Sequence, residues 1–356
     1  MAQSGAMRLQ SVTFVLAMLL AGCGSGGAGG SPASGQDARA TNLASASAKP
    51  SGGLLKITAA LSSLSASNIP SWVGKEAGIY EKNGLDVDFK VIAGGSTTTS
   101  ALLGGDVQMV MGGGSEALGA AAGGADLVIV GITVPTYPQI IVGPASARTL
   151  ADLKGKTFGV PAARGTVDVA TRVALKSQGI DPDKDVKITA LGSVQAVTAA
   201  LLSGAIDAAA VNVPDNLAAE AKGLHSVLNL ATANLPASSN SIYTLRSTVS
   251  SRRDVVQHYV DSVVQSIARA KADKALTSAA IKKNLKLDDD RAIEATYEFY
   301  REGVFPAYPY PKAELFKDAR ETVGEQNPKV LTFDVSKILD PSFMKSAEDR
   351  GLAKAG

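Results

Sequence analysis

The sequence predicts an α/β fold of two similar lobes with mostly parallel sheets, joined by a two-strand hinge. The first observation is an internal repeat with an offset of 99 positions. The stretch ALLGGDVQMVMGGGSEALGAAAGGA at 101–125 is partly matched by ALLSGAIDAAAVNVPDNLAAEAKGL at 200–224. The second is that short apolar segments alternate with helical patterns over short connections, which is typical of a parallel sheet covered on both faces. Alanine-rich helices also match by chance. A fixed offset through strand and helix nevertheless favours two copies of one unit, and a period of about 100 residues is too long for a solenoid.

Composition limits the classes of partner. With 356 residues, of which 45% are hydrophobic and 19% charged, the chain can bury the cores of two ordinary domains. A formal net charge of +2 gives no field that would attract nucleic acid, and an aromatic content of 5% does not suit a base-stacking surface. We therefore expect no nucleic-acid partner.

The amino-terminal segment has the pattern of a secretion signal. Arg8 precedes an apolar run at residues 12–20, which is too short to span a bilayer but suits the apolar region of a signal peptide. The next residues, LAGC, closely resemble the bacterial lipobox, in which the cysteine is diacylated and the peptide is cut before it. The alternative is a cysteine that merely follows a cleavable signal. We expect a signal peptide at 1–22 and a lipid on Cys23 that anchors the protein to the periplasmic or extracytoplasmic face of the cell membrane.

The rest of the chain divides into a tether and two lobes. Residues 23–53 are mostly Gly, Ser, Ala and Pro, which predicts a flexible tether. Too little sequence follows the second repeat for a third sheet, so we expect the chain to return to the first lobe. Lobe 1 then comprises 54–138 and 240–356, and lobe 2 comprises 139–239. Two crossings between the lobes make a hinge.

The elements are predicted from hydrophobic periodicity and from glycine or proline at their ends. In the first unit, strands are predicted at 54–61, 85–92, 107–111 and 126–133. Helices are predicted at 69–80, from the 94–97 loop to about 103, and after the 112–115 loop. In the second unit, strands are predicted at 156–160, 186–191 and 206–211, with helices at 167–178, 194–202 and 215–222. Amphipathic helices are predicted at 253–274 and 291–301.

Four loops of similar character follow predicted strands and open predicted helices. They are Gly95-Ser96-Thr97, Gly114-Ser115-Glu116, Arg164-Gly165-Thr166 and Asn212-Val213-Pro214. In parallel sheets, ligands bind outside the carboxyl ends of the strands, and helix N-termini there favour an anion or a polar acceptor. Plain N-capping by the hydroxyl residues would account for any one loop. Four such loops from two lobes favour a binding site.

Other candidate residues leave alternatives open. Arg164 could pair with a carboxylate or sulfonate, or be a solvated loop residue. Tyr137 could close over a ligand, or pack as a hinge residue. His225 and His258 are the only histidines, and neither has cysteine or carboxylate at metal spacing. Phosphate-loop, nucleophile-elbow and dinucleotide motifs are absent from the sequence, so we expect no catalytic residues, no metal and no cofactor.

Three stretches carry a resemblance to a known family. They are IPSWVGKEAGIYEKNGLDVDF at 69–89, LADLKGKTFGVPAARGT at 150–166 and ALLSGAIDAAAVNVP at 200–214. They resemble the nitrate, sulfonate and taurine type of ABC-transporter substrate-binding proteins, also called the thiamine-precursor-synthase-like family. The resemblance implies a type II periplasmic-binding fold that captures a small molecule between its lobes and delivers it to a membrane permease and its ATPase.

The resemblance also implies a set of ligand contacts. By position they are Leu64, Ser65, Asn68, Gly95, Ser96, Thr97, Gly114, Ser115, Arg164, Gly165, Thr166, Asn212 and Pro214. The eukaryotic pyrimidine synthases of this family resemble a cysteine-rich, histidine-using pattern that this chain lacks, which argues against catalysis. We expect a monomeric receptor for a small anion such as a sulfonate, nitrate-like ion or carboxylate, or for a pyrimidine precursor. A sensory module or an enzyme on the same fold is the alternative.

Overall fold

The structure is a computed structural model that describes residues 53–233 and 235–354. The predicted signal peptide, Cys23 and all but the last residue of the predicted tether lie outside the described residues. The strands are β1 (Leu55–Leu61), β2 (Leu85–Val91), β3 (Met109–Gly112), β4 (Leu127–Thr136), β5 (Gln139–Gly143), β6 (Thr157–Val160), β7 (Lys187–Ala190), β8 (Ala208–Asn212), β9 (His225–Asn229) and β10 (Pro236–Leu245).

These strands form two five-stranded sheets with the same topology. The first has the order β2-β1-β3-β10-β4 and the second the order β7-β6-β8-β5-β9. In each sheet the fourth strand in this order is antiparallel to both of its neighbours, and the first three are parallel. Four of five strands in each sheet therefore run in one direction. This confirms the predicted fold class of two like lobes with mostly parallel sheets.

The sequence repeat is visible in the strand register. Ala59 of β1 pairs with Met109 of β3, and Phe158 of β6 pairs with Ala208 of β8. Both members of the second pair lie 99 positions after their counterparts in the first. The offset found in the sequence is therefore the offset between structurally equivalent residues.

Helices cover both faces of each sheet. They are α1 (Ile69–Glu76), α2 (Ile79–Lys82), α3 (Gly95–Leu103), α4 (Gly114–Ala122), α5 (Thr166–Ser177), α6 (Val194–Ser203), α7 (Asp215–Ala221), α8 (Arg246–Ser251), α9 (Arg253–Ala272), α10 (Lys274–Leu285), α11 (Asp290–Gly303), α12 (Lys317–Gly324), α13 (Lys329–Thr332) and α14 (Ser342–Asp349). Short 3₁₀ turns lie at Ala66–Asn68, Leu150–Leu153, Leu230–Ala233, Ala313–Phe316 and Val335–Ile338. Within the described ranges, none of these helices combines the length and apolar character needed to cross a bilayer.

The core of the first sheet is built largely by late helices. On one face, α1, α9 and α11 contribute Trp72, Tyr259 and Tyr300 to a cluster with residues of β1 and β2. On the other face, α4 and the segment before α12 contribute Leu118 and Phe316. Two smaller clusters cover the faces of the second sheet with residues of α5 and α6. The chain after β10 thus returns to the first sheet, as its amphipathic helices predict.

Two details differ from the sequence predictions. The helix predicted at 69–80 is broken, because Gly78 has a φ of 64°, a left-handed conformation that ends α1 and starts α2. The joining segments at 135–144 and 231–243 were predicted only as hinge crossings, whereas β5 and β10 lie largely within them and each enters a sheet as its antiparallel member. The direct crossings are consequently short, at 137–138 and 230–235. The exact limits of the lobes, 54–138 with 240–356 and 139–239, stay a prediction.

Candidate functional site

The carboxyl ends of six parallel strands meet at one cavity between the two sheets. This central cavity has a volume of about 80 Å³. Its lining includes Ser62, Ser63, Ser65 and Ser67 after β1, Gly94 and Gly95 after β2, Gly113 and Glu116 after β3, Gly165 and Thr166 after β6, Ser193 and Gln195 after β7, and Asn212 at the end of β8, with Gln139 of β5 and Ser239 and Asn240 of β10. Hydroxyl, amide and glycine groups from both sheets therefore face a common space, as expected at the strand ends of parallel sheets.

The structure brings five of the predicted contacts together there, namely Ser65, Gly95, Gly165, Thr166 and Asn212. Leu64 and Pro214 line an adjoining cavity of about 300 Å³, which shares Ser65, Gln195 and Asn212 with the central one. Ser96, Ser115 and Arg164 line a third cavity beside α4, which shares Glu116 and Gly165 with the central one. The last four predicted contacts line none of these cavities, and they are Asn68, Thr97, Gly114 and Tyr137.

Two of these four residues contact the segments that line the central cavity. Asn68 is buried, and its Nδ2 donates a hydrogen bond to the Ser63 carbonyl at 2.8 Å, which fixes the serine loop after β1. Gly114 packs against Ser238, since a Cβ at Gly114 would lie 2.2 Å from the Ser238 Oγ. Asn68 and Gly114 therefore position the chain segments that line the cavity and do not line it themselves.

Tyr137 and Arg164 have partners within the protein. The Tyr137 hydroxyl donates to Asp318 Oδ2 at 3.1 Å, and burial raises the pKa of this phenol. The Arg164 guanidinium is 13% exposed, and its Nη1 lies 2.5 Å from Glu325 Oε2, just beyond α12. Tyr137 therefore connects the crossing, and Arg164 connects lobe 2, to the carboxyl-terminal helices. Their contact with a ligand stays a prediction.

Glu116, which we did not predict as a contact, is the charged residue among the described residues that line the central cavity. Its carboxylate reaches from α4 to the first residue of α5 in the other sheet, where Oε2 accepts from Thr166 Oγ1 at 2.8 Å and Oε1 from the Thr166 N–H at 3.3 Å. The N-cap residue Gly165 offers no side-chain cap of its own. Glu116 thus caps α5 from the opposite lobe, where the helix dipole stabilises a negative charge.

The repeat could have drawn attention to this residue. Asp215 lies 99 positions after Glu116, and both are acidic residues in the first turn of the helix that follows the third strand of their sheet. Asp215 remains within its own lobe, where Thr198 Oγ1 donates to its Oδ2 at 3.1 Å. Burial beside the adjoining cavity raises the pKa of the Asp215 carboxyl, while the Thr198 hydrogen bond lowers it in part.

Gln139 lines the central cavity and has a buried acceptor atom without a partner in the described residues. Its side chain is almost fully buried at 4% exposure, and Nε2 donates to Asn212 Oδ1 at 3.3 Å. Its Oε1 has no hydrogen-bond partner in the part of the chain that the structure describes. Since a buried acceptor without a partner is costly, this oxygen is available to a donor on a ligand.

The site does not have the donor set of a metal centre. Across residues 53–233 and 235–354, no group of three or more His, Cys, Asp or Glu side chains could hold a metal ion.

Comparison with known proteins identifies the same family as the sequence motifs. The family model described as NMT1/THI5 like matches residues 66–275. A protein of Brucella abortus (strain 2308) that is named as a binding protein is 32% identical over 143 residues, which is 40% of this chain and 43% of the relative. A protein of Brachyspira hyodysenteriae named as an ABC transporter periplasmic binding protein is 33% identical over 124 residues, or 35% of this chain and 34% of the relative. These matches span less than half the length of the relatives.

Solved structures share the fold at low sequence identity. The alkanesulfonate-binding protein SsuA from Xanthomonas axonopodis pv. citri, bound to MOPS, superposes with a TM-score of 0.67 at 20% identity, covering 82% of this chain and 99% of that one. At this identity the similarity establishes the architecture, and the chemistry of the cavity has to be argued from the residues of this chain.

Proposed function

Because the chain belongs to the NMT1/THI5-like family, we propose that it is the solute-binding receptor of an ABC importer. It captures one small molecule between its two sheets and presents it to a membrane permease and its ATPase. The observation that carries this proposal is the meeting of six strand ends from two like sheets at one polar cavity. We also propose that lipidated Cys23 holds the receptor, as a monomer, at the extracytoplasmic face of the membrane.

The contacts between the lobes suit a receptor that closes on its ligand. Glu116 of α4 meets Thr166 of α5, and Gln195 Nε2 of α6 donates to the Leu64 carbonyl of the first lobe at 2.9 Å. A solute that touches both lobes stabilises their closed arrangement by as much as it binds that arrangement better than the open one. Two short crossings between the sheets are compatible with such a hinge motion.

The lining also supports binding without catalysis. It offers hydroxyl groups, side-chain amides and one carboxylate, and among the described lining residues no histidine or lysine stands beside a serine or threonine to activate it. The relatives named as binding proteins agree with this role. We therefore propose a receptor in preference to an enzyme on the same fold.

A thermal-unfolding screen of the full-length protein against small polar molecules tests the receptor function. A solute present at about 100 times its Kd adds about 2.7 kcal/mol to the free energy of unfolding, so a ligand raises the Tm by a measurable amount. We expect Ser65→Ala in lobe 1 and Asn212→Ala in lobe 2 each to weaken binding by roughly three- to tenfold, the effect of one lost hydrogen bond.

The matched control is Ser250→Ala, because Ser250 lies on the exposed helix α8 and its hydroxyl donates, within the described part of the chain, only to the Arg246 carbonyl. Its affinity for the solute should equal that of the wild type. A ligand whose affinity is unchanged by both cavity substitutions would bind elsewhere and would refute the proposed site.

A further inference from the structure

We propose that the solute carries a positively charged nitrogen, an ammonium or amidinium group, which binds the Glu116 carboxylate in the central cavity. This inference rests on the proposed receptor function and specifies the chemistry of its ligand. It differs from the anion that helix N-termini alone would suggest.

The charges that line the central and the adjoining cavity are all negative, whereas the third cavity, which shares Glu116 and Gly165 with the central one, is also lined by Arg164, whose Nη1 lies 2.5 Å from Glu325 Oε2. Among the described residues, Glu116 is the only charged side chain lining the central cavity, and Asp215 the only one lining the adjoining cavity. No lysine or arginine from the described ranges lines either space. Bound anions in proteins are commonly held by arginine or lysine, whereas a carboxylate attracts a cation and repels an anion. The lining of these two cavities therefore favours a cationic solute over an anionic one.

The helix end that would attract an anion already holds one. The N-terminus of α5 is occupied by the Glu116 carboxylate through the Thr166 N–H and hydroxyl. An incoming anion would meet this negative charge at the place where the helix dipole would otherwise bind it. A carboxylate has about four acceptor sites, and Thr166 takes two of them, so Glu116 keeps acceptor capacity for a donor in the cavity.

The position of the Glu116 carboxylate depends on three glycines, which leave space where any other residue would have a Cβ. A Cβ at Gly95 would lie 2.6 Å from the Glu116 carboxylate carbon, and one at Gly113 would lie 2.0 Å from Oε2. A Cβ at Gly165 would lie 2.9 Å from Oε1. Glycines from three different strand ends thus leave the space that the carboxylate fills, which makes its position a feature of the site.

Gln139 points independently to a donor on the ligand. Gln139 lines the same cavity, its buried Oε1 has no hydrogen-bond partner in the described part of the chain, and its Nε2 donates to Asn212. A nitrogen with two or more N–H groups has one donor for each of these two acceptors, the Glu116 carboxylate and Gln139 Oε1. A sulfonate or nitrate ion has no proton to give to either oxygen.

The experiment compares cations and anions of the same shape on the full-length protein. Acetamidinium is matched with acetate and guanidinium with nitrate, at equal millimolar concentration and equal ionic strength, with the Tm as readout. We expect the two cations to raise the Tm of the wild type and the two anions to leave it unchanged. Glu116→Gln keeps the shape of the side chain but removes the charge, and should weaken cation binding by roughly 30-fold or more.

Glu314→Gln is the matched control, because Glu314 is an exposed glutamate that lines neither cavity. It should respond to the cations as the wild type does. In parallel, the purified wild type is denatured and any released small molecule is identified by mass spectrometry, with a cationic nitrogen compound as the expected result.

The outcomes separate the two levels of the proposal. Stabilisation by the anions, a released anionic or neutral molecule, or a cation effect that survives Glu116→Gln would overturn the cation assignment and leave the receptor function intact. No Tm change with either cation, together with no released molecule, would overturn the cation assignment, and the receptor function falls with it if the screen of small polar molecules also gives no ligand.

Discussion

At the level of single residues, a few glycines decide what the site can hold. Gly113 has an ordinary backbone conformation, with a φ of −65° and a ψ of 135°, so its importance lies in the space it leaves. A Cβ there would lie 2.0 Å from Glu116 Oε2 and 2.3 Å from Thr166 Oγ1. Both are atoms of movable side chains, so a substitution displaces them and leaves the backbone in place.

We expect Gly113→Ala to fold normally but to break the contact between Glu116 and Thr166. The affinity for the solute should fall at least about tenfold, the scale of a lost charge-assisted hydrogen bond. The measurement is a binding titration beside a denaturant unfolding curve of the same protein.

Gly119→Ala in α4, the helix that begins just after Gly113, is the control. A Cβ at Gly119 would lie 3.7 Å from Val323 Cγ1, an ordinary contact, and alanine in a helix is more favourable than glycine by about 0.5–1 kcal/mol. It should bind as the wild type and be slightly more stable. Unchanged affinity in Gly113→Ala would show that the Glu116 contact has no part in binding.

Sequence reasoning found part of this site for a physical reason. Gly165, Thr166 and Asn212 were predicted because residues after parallel strands must lie at one edge of a sheet. Glu116 was not, because the pattern shows that a side chain belongs to a first helical turn but not that it reaches across to the other lobe. For Arg164, the ion pair with Glu325 joins positions 161 residues apart in the chain, and no local pattern could reveal it.

At the level of elements, the repeat predicted the shared order of strands, and the antiparallel strands were missed. β5 has five residues and lies directly after β4, so its apolar run looks like part of a crossing. Its strand character depends on pairing with β8 and β9, which lie more than 60 residues later. The late helices were predicted from their amphipathic pattern, and their docking depends on specific contacts that the pattern does not show.

One such contact holds α14 against α9. Arg350, just after α14, donates from Nη1 and Nη2 to the two carboxylate oxygens of Asp261, each at 2.6 Å. Asp261 is 3% exposed and also accepts from Gln257 Nε2 at 2.7 Å. The pair is bidentate and its acidic member is buried, which is the geometry in which an ion pair matters most.

We expect Arg350→Ala to lower the free energy of unfolding by about 2 kcal/mol, because Asp261 loses its cation while staying buried. The guanidinium is itself half-exposed, which keeps the loss below that of a fully buried pair. Lys345→Ala is the control, since its pair with Asp349 in α14 is exposed at both ends and should contribute little. Denaturant unfolding measures both, and equal stabilities of the two variants would contradict the role assigned to Arg350.

At the level of the whole molecule, two similar sheets enclose one polar space. The sequence predicted the two lobes, the hinge and the return of the chain to lobe 1, because a long-period repeat followed by amphipathic helices leaves few other arrangements. It could not predict the sign of the cavity's charge. That sign depends on which side chains from distant loops line the same space. Among the described residues, the charged ones are Glu116 in the central cavity and Asp215 in the adjoining cavity.

The most direct test of the account is hydrogen exchange of the full-length protein, measured by mass spectrometry with and without the compound that stabilises it most. We predict slower exchange in two sets of loops, at 62–67, 93–95 and 113–116 in lobe 1 and at 161–167 and 193–195 in lobe 2, because one solute contacts both sheets and closes them. Protection confined to one lobe, or found only outside these loops, would contradict a binding site between the lobes.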